Sequence, residues 1–260
     1  MFLQLKRSSL LLLIAASSGS ASAATVIFSD DFQDDTIGAL PAISGSNVGD
    51  SYSPVGGSIT VGANPNLTGN TSSQVLRGGG VAANQNQIRA FFDGGSTSIA
   101  GITITFDFYV PSTVGNAADG VRFGLYNEAL NSNGYFWRFD RVNASIGYLN
   151  TATGSTHAGS NIWQRFSVTY AAGDTAGTYD LDWSVTNLVT NSVVVSNTIT
   201  GTGGFADGLT AGLLLEVNDT NDADNFLGYI DNVLVTIPEP SSGLLGIFAL
   251  GFLAQYRRRN

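Results

Sequence analysis

The stretch GITITFDFYV, Gly101 to Val110, alternates with a period of two. Ile102, Ile104, Phe106 and Phe108 fall on one side of an extended chain, and Thr103, Thr105, Asp107 and Tyr109 on the other. That is the pattern of an antiparallel strand with one face in a core. GVRFGLYN, GYFWRFD, WQRFSVTY, TYDLDWSV, SVVVSNTI, GLLLEV and LGYIDNVLVT repeat it, separated by Gly, Asn, Asp and Ser, with no 3.6-residue periodicity between them. From Thr25 onward the chain therefore reads as all-β. More than about ten strands in one open sheet would leave edges and an apolar face bare, so the expected architecture is a two-sheet antiparallel β-sandwich of jelly-roll type. Gly38–Gly57 and Thr68–Gly80 are poorer in apolar residues and read as long loops or edge strands.

Charge and cysteine content narrow the function. Between Ala24 and Ile237 stand 19 acidic residues against 6 arginines and no lysine, a surface that repels nucleic acid and anionic lipid headgroups. The chain has no cysteine, which excludes disulfides, thiolate metal sites and thiol nucleophiles.

Both ends read as addresses. Lys6 and Arg7, an apolar run from Leu10 to Ala16 and the small-residue series Ala21-Ser22-Ala23 form a signal-peptide pattern. Residues 1–23 are expected to be removed, leaving Ala24 first. The sandwich is then expected over 24–237 and a third segment over 238–260. Pro238 and Pro240 stop the last strand. Ser241 to Tyr256 would make an apolar helix of about 24 Å, short for a hydrocarbon core of about 30 Å. Its apolar residues surround the helix instead of forming a stripe, so it is expected to enter lipid, with Arg257, Arg258 and Arg259 held on the cytoplasmic side.

Pro238-Glu239-Pro240, the short Gly/Leu-rich span and the terminal arginines, paired with the signal peptide, resemble the PEP-CTERM sorting signal of Gram-negative bacteria that make extracellular polysaccharide. The resemblance covers the last 23 residues. It implies signal peptidase and an exosortase-type transpeptidase as partners, transient anchoring in the inner membrane, cleavage near the Pro-Glu-Pro motif, and delivery to the cell envelope or extracellular matrix. In the middle region, IWQRFSVTYAAGDTAGTYDLDWSV and GYIDNVLV resemble strands of the concanavalin A-like, laminin-G-like superfamily, which implies a jelly roll but no activity by itself.

Catalytic constellations are thin. Asp180 and Asp182 share a strand face and make a candidate carboxylate pair, although exposed antiparallel strands ordinarily read polar at alternate positions. His157, the one histidine, lies in the polar stretch TATGSTHAGS and reads as a solvated loop residue; Gly-x-Ser-x-Gly is absent. EVNDTNDADN gathers Glu216, Asp219, Asp222 and Asp224, oxygen ligands of the type Ca²⁺ takes, against the alternative of an acidic solvated turn. SDDFQDD, Ser29 to Asp35, would add ligands if the first and last strands are neighbours.

The aromatic residues are the remaining ligand surface. Tyr135, Trp137, Arg138 and Trp183 are candidates for stacking and hydrogen-bonding sugar, against the alternative that the rings anchor the core, and a bulge or strand end is expected near Arg138. The expectation is an exported, non-catalytic β-sandwich with polysaccharide as its ligand. The alternatives are a polysaccharide hydrolase or lyase using Asp180 and Asp182, and a purely structural or adhesive matrix protein.

Overall fold

The computed structural model describes residues 24–57, 59–79, 86–112, 119–149, 151–203, 205–218 and 227–238. The expectations at Ala21, Ala23, Glu239, Pro240 and Arg257–Arg259, and those at Asp219, Asp222 and Asp224, lie outside these residues. Seventeen strands are described: β1 (Ala24–Asp30), β2 (Tyr52–Gly56), β3 (Ile59–Ala63), β4 (Gln74–Gly79), β5 (Asn86–Phe91) and β6 (Thr97–Ser98). Next come β7 (Thr103–Tyr109), β8 (Gly120–Asn127), β9 (Ser132–Asp140), β10 (Ser145–Tyr148), β11 (Thr151–Thr156) and β12 (Trp163–Ala172). The series ends with β13 (Thr178–Asn187), β14 (Ser192–Gly203), β15 (Leu209–Thr210), β16 (Gly212–Asn218) and β17 (Leu227–Pro238).

Fifteen of them form two antiparallel sheets packed face to face, and β6 and β15 pair as a separate two-stranded sheet. The eight-stranded sheet runs β14-β13-β12-β7-β17-β4-β3, with β1 also paired to β17; the seven-stranded sheet runs β11-β10-β9-β8-β16-β5-β2. The two-sheet sandwich expected from the alternating pattern is thus the observed fold. β4 corrects one expectation. The Thr68–Gly80 stretch holds an interior strand between β17 and β3, with Val75 and Leu76 buried, because only two apolar side chains are needed where both neighbours supply the ladder.

The core forms where the inner faces meet. Ile102, Ile104, Phe106 and Phe108 are all fully buried, as the alternation in GITITFDFYV requires. Phe108 stacks on Phe139 at 4.3 Å, and Phe106 meets Phe123 edge-on at 4.9 Å, the offset geometries that the ring quadrupole favours. Burial of this aromatic layer supplies the main stabilisation. A smaller cluster lies apart from it, with Tyr109, Trp163, Tyr229 and Val75 in mutual contact. The Trp163 indole N–H donates to the Asn66 carbonyl at 2.7 Å.

The first and last strands are neighbours: Ala24 pairs with Pro238 and Asp30 with Val233. In β17 one extra residue enters between Asp231, opposite Asp107, and Leu234, opposite Thr105. Asn232 takes φ 49° there. This bulge places Ile230, Val233 and Val235 all in the core despite their odd spacing.

Candidate functional site

The outer face of the seven-stranded sheet carries a row of side chains in direct register across four strands. Gln87 of β5 is opposite Glu216 of β16, Glu216 opposite Arg122 of β8, and Arg122 opposite Arg138 of β9. Gly147 of β10 continues the row beyond Arg138. At about 4.8 Å between strands the row spans about 19 Å. A cleft of about 300 Å³ opens on it, lined by Gln87, Arg122, Asn133, Phe136, Trp137, Arg138 and Glu216.

Geometry and charge within the row are interlocked. The Gln87 amide donates to Glu216 Oε2 at 2.7 Å and Arg122 Nη1 donates to Oε1 at 3.2 Å. Glu216 is 1% exposed, and that burial pushes its carboxyl above the usual carboxylate range, with Arg122 acting in the opposite sense. Arg138 pairs with Asp140 at 3.1 Å, and burial likewise raises Asp140, against the bond it accepts from the Ser145 hydroxyl at 2.7 Å. A Cβ at position 147 would stand 2.9 Å from Arg138 Nε. Glycine there leaves the guanidinium room to lie flat across β10.

A second row runs beside the first, with Arg89 at one end and Leu214 and Gly124 beyond it. Arg89 of β5 is opposite Leu214 of β16, and Leu214 opposite Gly124 of β8. A Cβ on Gly124 would meet the Phe136 ring at 3.2 Å, so Phe136 lies over this glycine, half-buried. The Arg89 guanidinium sits 4.1 Å over the Tyr126 ring, a cation–π contact that holds both in place. The cleft thus pairs hydrogen-bonding groups with the half-buried ring of Phe136, the combination a ligand with hydroxyls on its rim and C–H on its faces requires.

The candidates named from sequence are divided. Arg138 is in the cleft, and Glu216 joins it. Trp137 and Trp183 are not a ligand platform. Trp137 is fully buried and Trp183 is 3% exposed, their rings 5.3 Å apart within the core. Although Trp137 borders the cleft floor, a sugar has no ring face of it to stack on. Tyr135 lies in β9. The bulge expected near Arg138 occurs upstream, where Phe123 pairs with Trp137 and Leu125 with Gly134. Alternation from Phe136 to Phe139 is regular, so Phe136 and Arg138 face outward while Trp137 and Phe139 face the core.

Phe136 was missed because the apolar mass of Trp137 draws attention to the wrong side of the strand. The signal was available: a residue two positions from an outward arginine shares its face.

Glu216 accepts from Arg122 and Gln87, and its partners in the expected calcium set, Asp219, Asp222 and Asp224, lie outside the described residues. Among the described residues no group of three or more His, Cys, Asp or Glu side chains could hold a metal ion. Asp180 and Asp182 stand on the outer side of β13 in the other sheet. There Asp180 accepts from the Gly201 N–H at 2.8 Å and Asp182 accepts the Thr198 hydroxyl, so both serve the β13–β14 pairing. His157 is not solvated. It is 4% exposed, with Nε2 2.9 Å from the Asp140 carbonyl and Nδ1 accepting from the Gly159 N–H at 3.2 Å. Burial lowers its pKa, and the neutral ring braces the end of β9.

No family model matches the chain, and no curated protein matches it in sequence. Solved structures similar to it include the carbohydrate-binding module CBM66 from Bacillus subtilis, at TM-score 0.44 and 12% identity over 71% of this chain and 94% of that one. Lectin II from Ulex europaeus aligns at TM-score 0.44 and 15% identity, covering 64% of this chain and 88% of that one. Arcelin-5, a lectin-like defence protein from Phaseolus vulgaris, aligns at 0.46 and 11%, covering 84% and 98%.

Proposed function

We propose that this chain is a polysaccharide-binding β-sandwich that holds its ligand along the outer face of the seven-stranded sheet. The observation that carries this reading is the Gln87–Glu216–Arg122–Arg138 row, flanked by the half-exposed ring of Phe136. Guanidinium and amide groups hydrogen-bond hydroxyls, the ring packs against C–H groups, and the register extends along a short stretch of polymer. Affinity electrophoresis against polysaccharide panels, including the matrix polymer of the host, tests it. Retention is expected for the native sandwich, with Arg138→Ala about tenfold weaker, as loss of a charged hydrogen bond implies. Equal mobility with and without every polymer would overturn the reading.

A second reading is cleavage of the same polymer, favoured by one observation: Glu216 is a buried carboxyl in a cleft with a raised pKa, the state a general acid needs. Product release abolished by Glu216→Gln with binding retained would support it.

For the ends, the proposal is export: signal peptidase cleavage before Ala24 and exosortase-type processing at Pro238-Glu239-Pro240. The resemblance of those motifs supports it. A mature protein whose intact mass still includes Arg257–Arg259 would overturn it.

A further inference from the structure

Charge is divided unequally between the two large sheets. The strands of the eight-stranded sheet carry five carboxylates, Asp30, Asp107, Asp180, Asp182 and Asp231, against two arginines, Arg77 and Arg165. Those of the seven-stranded sheet carry three arginines, Arg89, Arg122 and Arg138, against Glu216 and Asp140. Half of the six arginines between Ala24 and Ile237 therefore stand on the sheet that holds the cleft, in a region where 19 residues are acidic.

Depth sharpens the contrast. In the Arg122–Glu216 pair the side chains are 19% and 2% exposed, and in the Arg138–Asp140 pair 26% and 6%. In both, the guanidinium lies toward solvent and the carboxylate beneath it, so a ligand entering the cleft meets donors first. Arg138 turns Nε toward Asp140 at 3.1 Å, and among the described residues neither of its Nη groups has a hydrogen-bond partner. Those two nitrogens form a planar fork that carries only donors, the complement of a carboxylate with its two acceptor oxygens. Asn133 Oδ1, which also lines the cleft, is buried without a partner and supplies an acceptor for one hydroxyl.

We propose that the polysaccharide held here is acidic, and that Arg138 reads the carboxylate of a uronate residue whose ring lies on Phe136. The inference rests on the polysaccharide reading and adds the class of sugar. Phe136 and Arg138 are two positions apart on β9, about 7 Å along the strand, so a pyranose packed on the ring brings its exocyclic carboxylate to the guanidinium. Partial exclusion of water from the cleft strengthens that contact relative to one in bulk solvent. The surrounding surface is acidic, and its field is screened beyond about 8 Å at physiological salt. Isolated uronates between neutral sugars therefore suit the site better than a polymer charged at every residue, which would lay its other carboxylates against like charge.

The test is biolayer interferometry of the full chain in mild detergent on immobilised glucuronoxylan, xanthan and the matrix polymer of the host. Each polymer is presented before and after reduction of its carboxyl groups to hydroxymethyl. Binding is expected to the acidic forms and to be about tenfold weaker to the reduced ones, as loss of a charged hydrogen bond implies. Equal binding to both forms would overturn the uronate assignment and leave the polysaccharide reading standing. Binding to carrageenan that disappears on desulfation, with no dependence on carboxylate, would also overturn it. No binding to any polymer would remove the polysaccharide reading and this inference with it. Arg138→Gln, its fold checked by far-UV circular dichroism, should bind the acidic and reduced forms alike, and a folded variant that still prefers the acidic form would overturn the role given to Arg138.

Discussion

At the scale of single residues, β9 shows how one strand serves two purposes. Phe136 and Arg138 face the cleft, while Trp137 and Phe139 face the core. Phe136→Ala is expected to weaken polysaccharide binding about tenfold with little change in the denaturation midpoint, because the ring is half-exposed. Trp137→Ala is expected to cost about 3–5 kcal/mol of stability, read by urea denaturation, since it leaves a cavity among Phe166, Tyr148 and Trp183. Gly147→Ala separates shape from charge. Its methyl would push the Arg138 head aside, so weaker binding with an unchanged melting temperature is expected from affinity electrophoresis and calorimetry. Arg138 was legible from sequence as a polar residue amid aromatics. Phe136 was obscured because a tryptophan beside it looked the better platform.

At the scale of elements, β17 illustrates a spacing that only a bulge satisfies. Ile230 and Val233 are separated by an odd number of positions yet both lie in the core, so the strand must take in one residue more than its partner β7. Asn232 absorbs it with φ 49°, and its amide donates to Asp107 at 2.9 Å. Asn232→Ala is expected to destabilise by about 1–3 kcal/mol, combining the left-handed backbone cost with a lost bond to a carboxylate. Asn232→Gly should lose only the latter, and guanidinium melts of the two variants separate these contributions. The strand itself was apparent in LGYIDNVLVT. That it sits between β7 and the pair β4 and β1 was not, because pairing partners distant in sequence leave no mark on either segment's own pattern.

At the scale of the whole molecule, the closure of first strand on last carries a pH dependence. Asp30 and Asp231 are each pushed up to about 7, chiefly by burial. Tyr52 donates to Asp30 at 2.7 Å and Asn70 to Asp231 at 2.7 Å, both opposing the rise. A folded-state value above the unfolded one means the folded chain binds more protons between the two. The stability these groups contribute is full below about 3.8 and is lost as pH rises through about 7. His157, lowered by burial, acts in the opposite sense as pH falls through its unfolded value. With two carboxyls against one imidazole, a higher melting temperature is expected at pH 5 than at pH 8. Asp231→Asn should flatten that difference in differential scanning calorimetry, and an unchanged slope would count against the assignment.

The sequence by itself determined the class of fold, since period-two alternation is a local property written into each strand, and it determined the acidic, cysteine-free character of the surface. It also singled out Arg138 and Glu216, though for different reasons and in different places. Only the tertiary structure decided that these two share a face with Gln87 and Arg122, drawn from four strands across more than a hundred residues of chain. Only it showed that Trp137, Trp183 and His157 are interior. Alternation tells which residues of a strand lie together, but the side that meets the other sheet, and the neighbours opposite, depend on how distant strands pair; that information resides in the packing and not in any one segment.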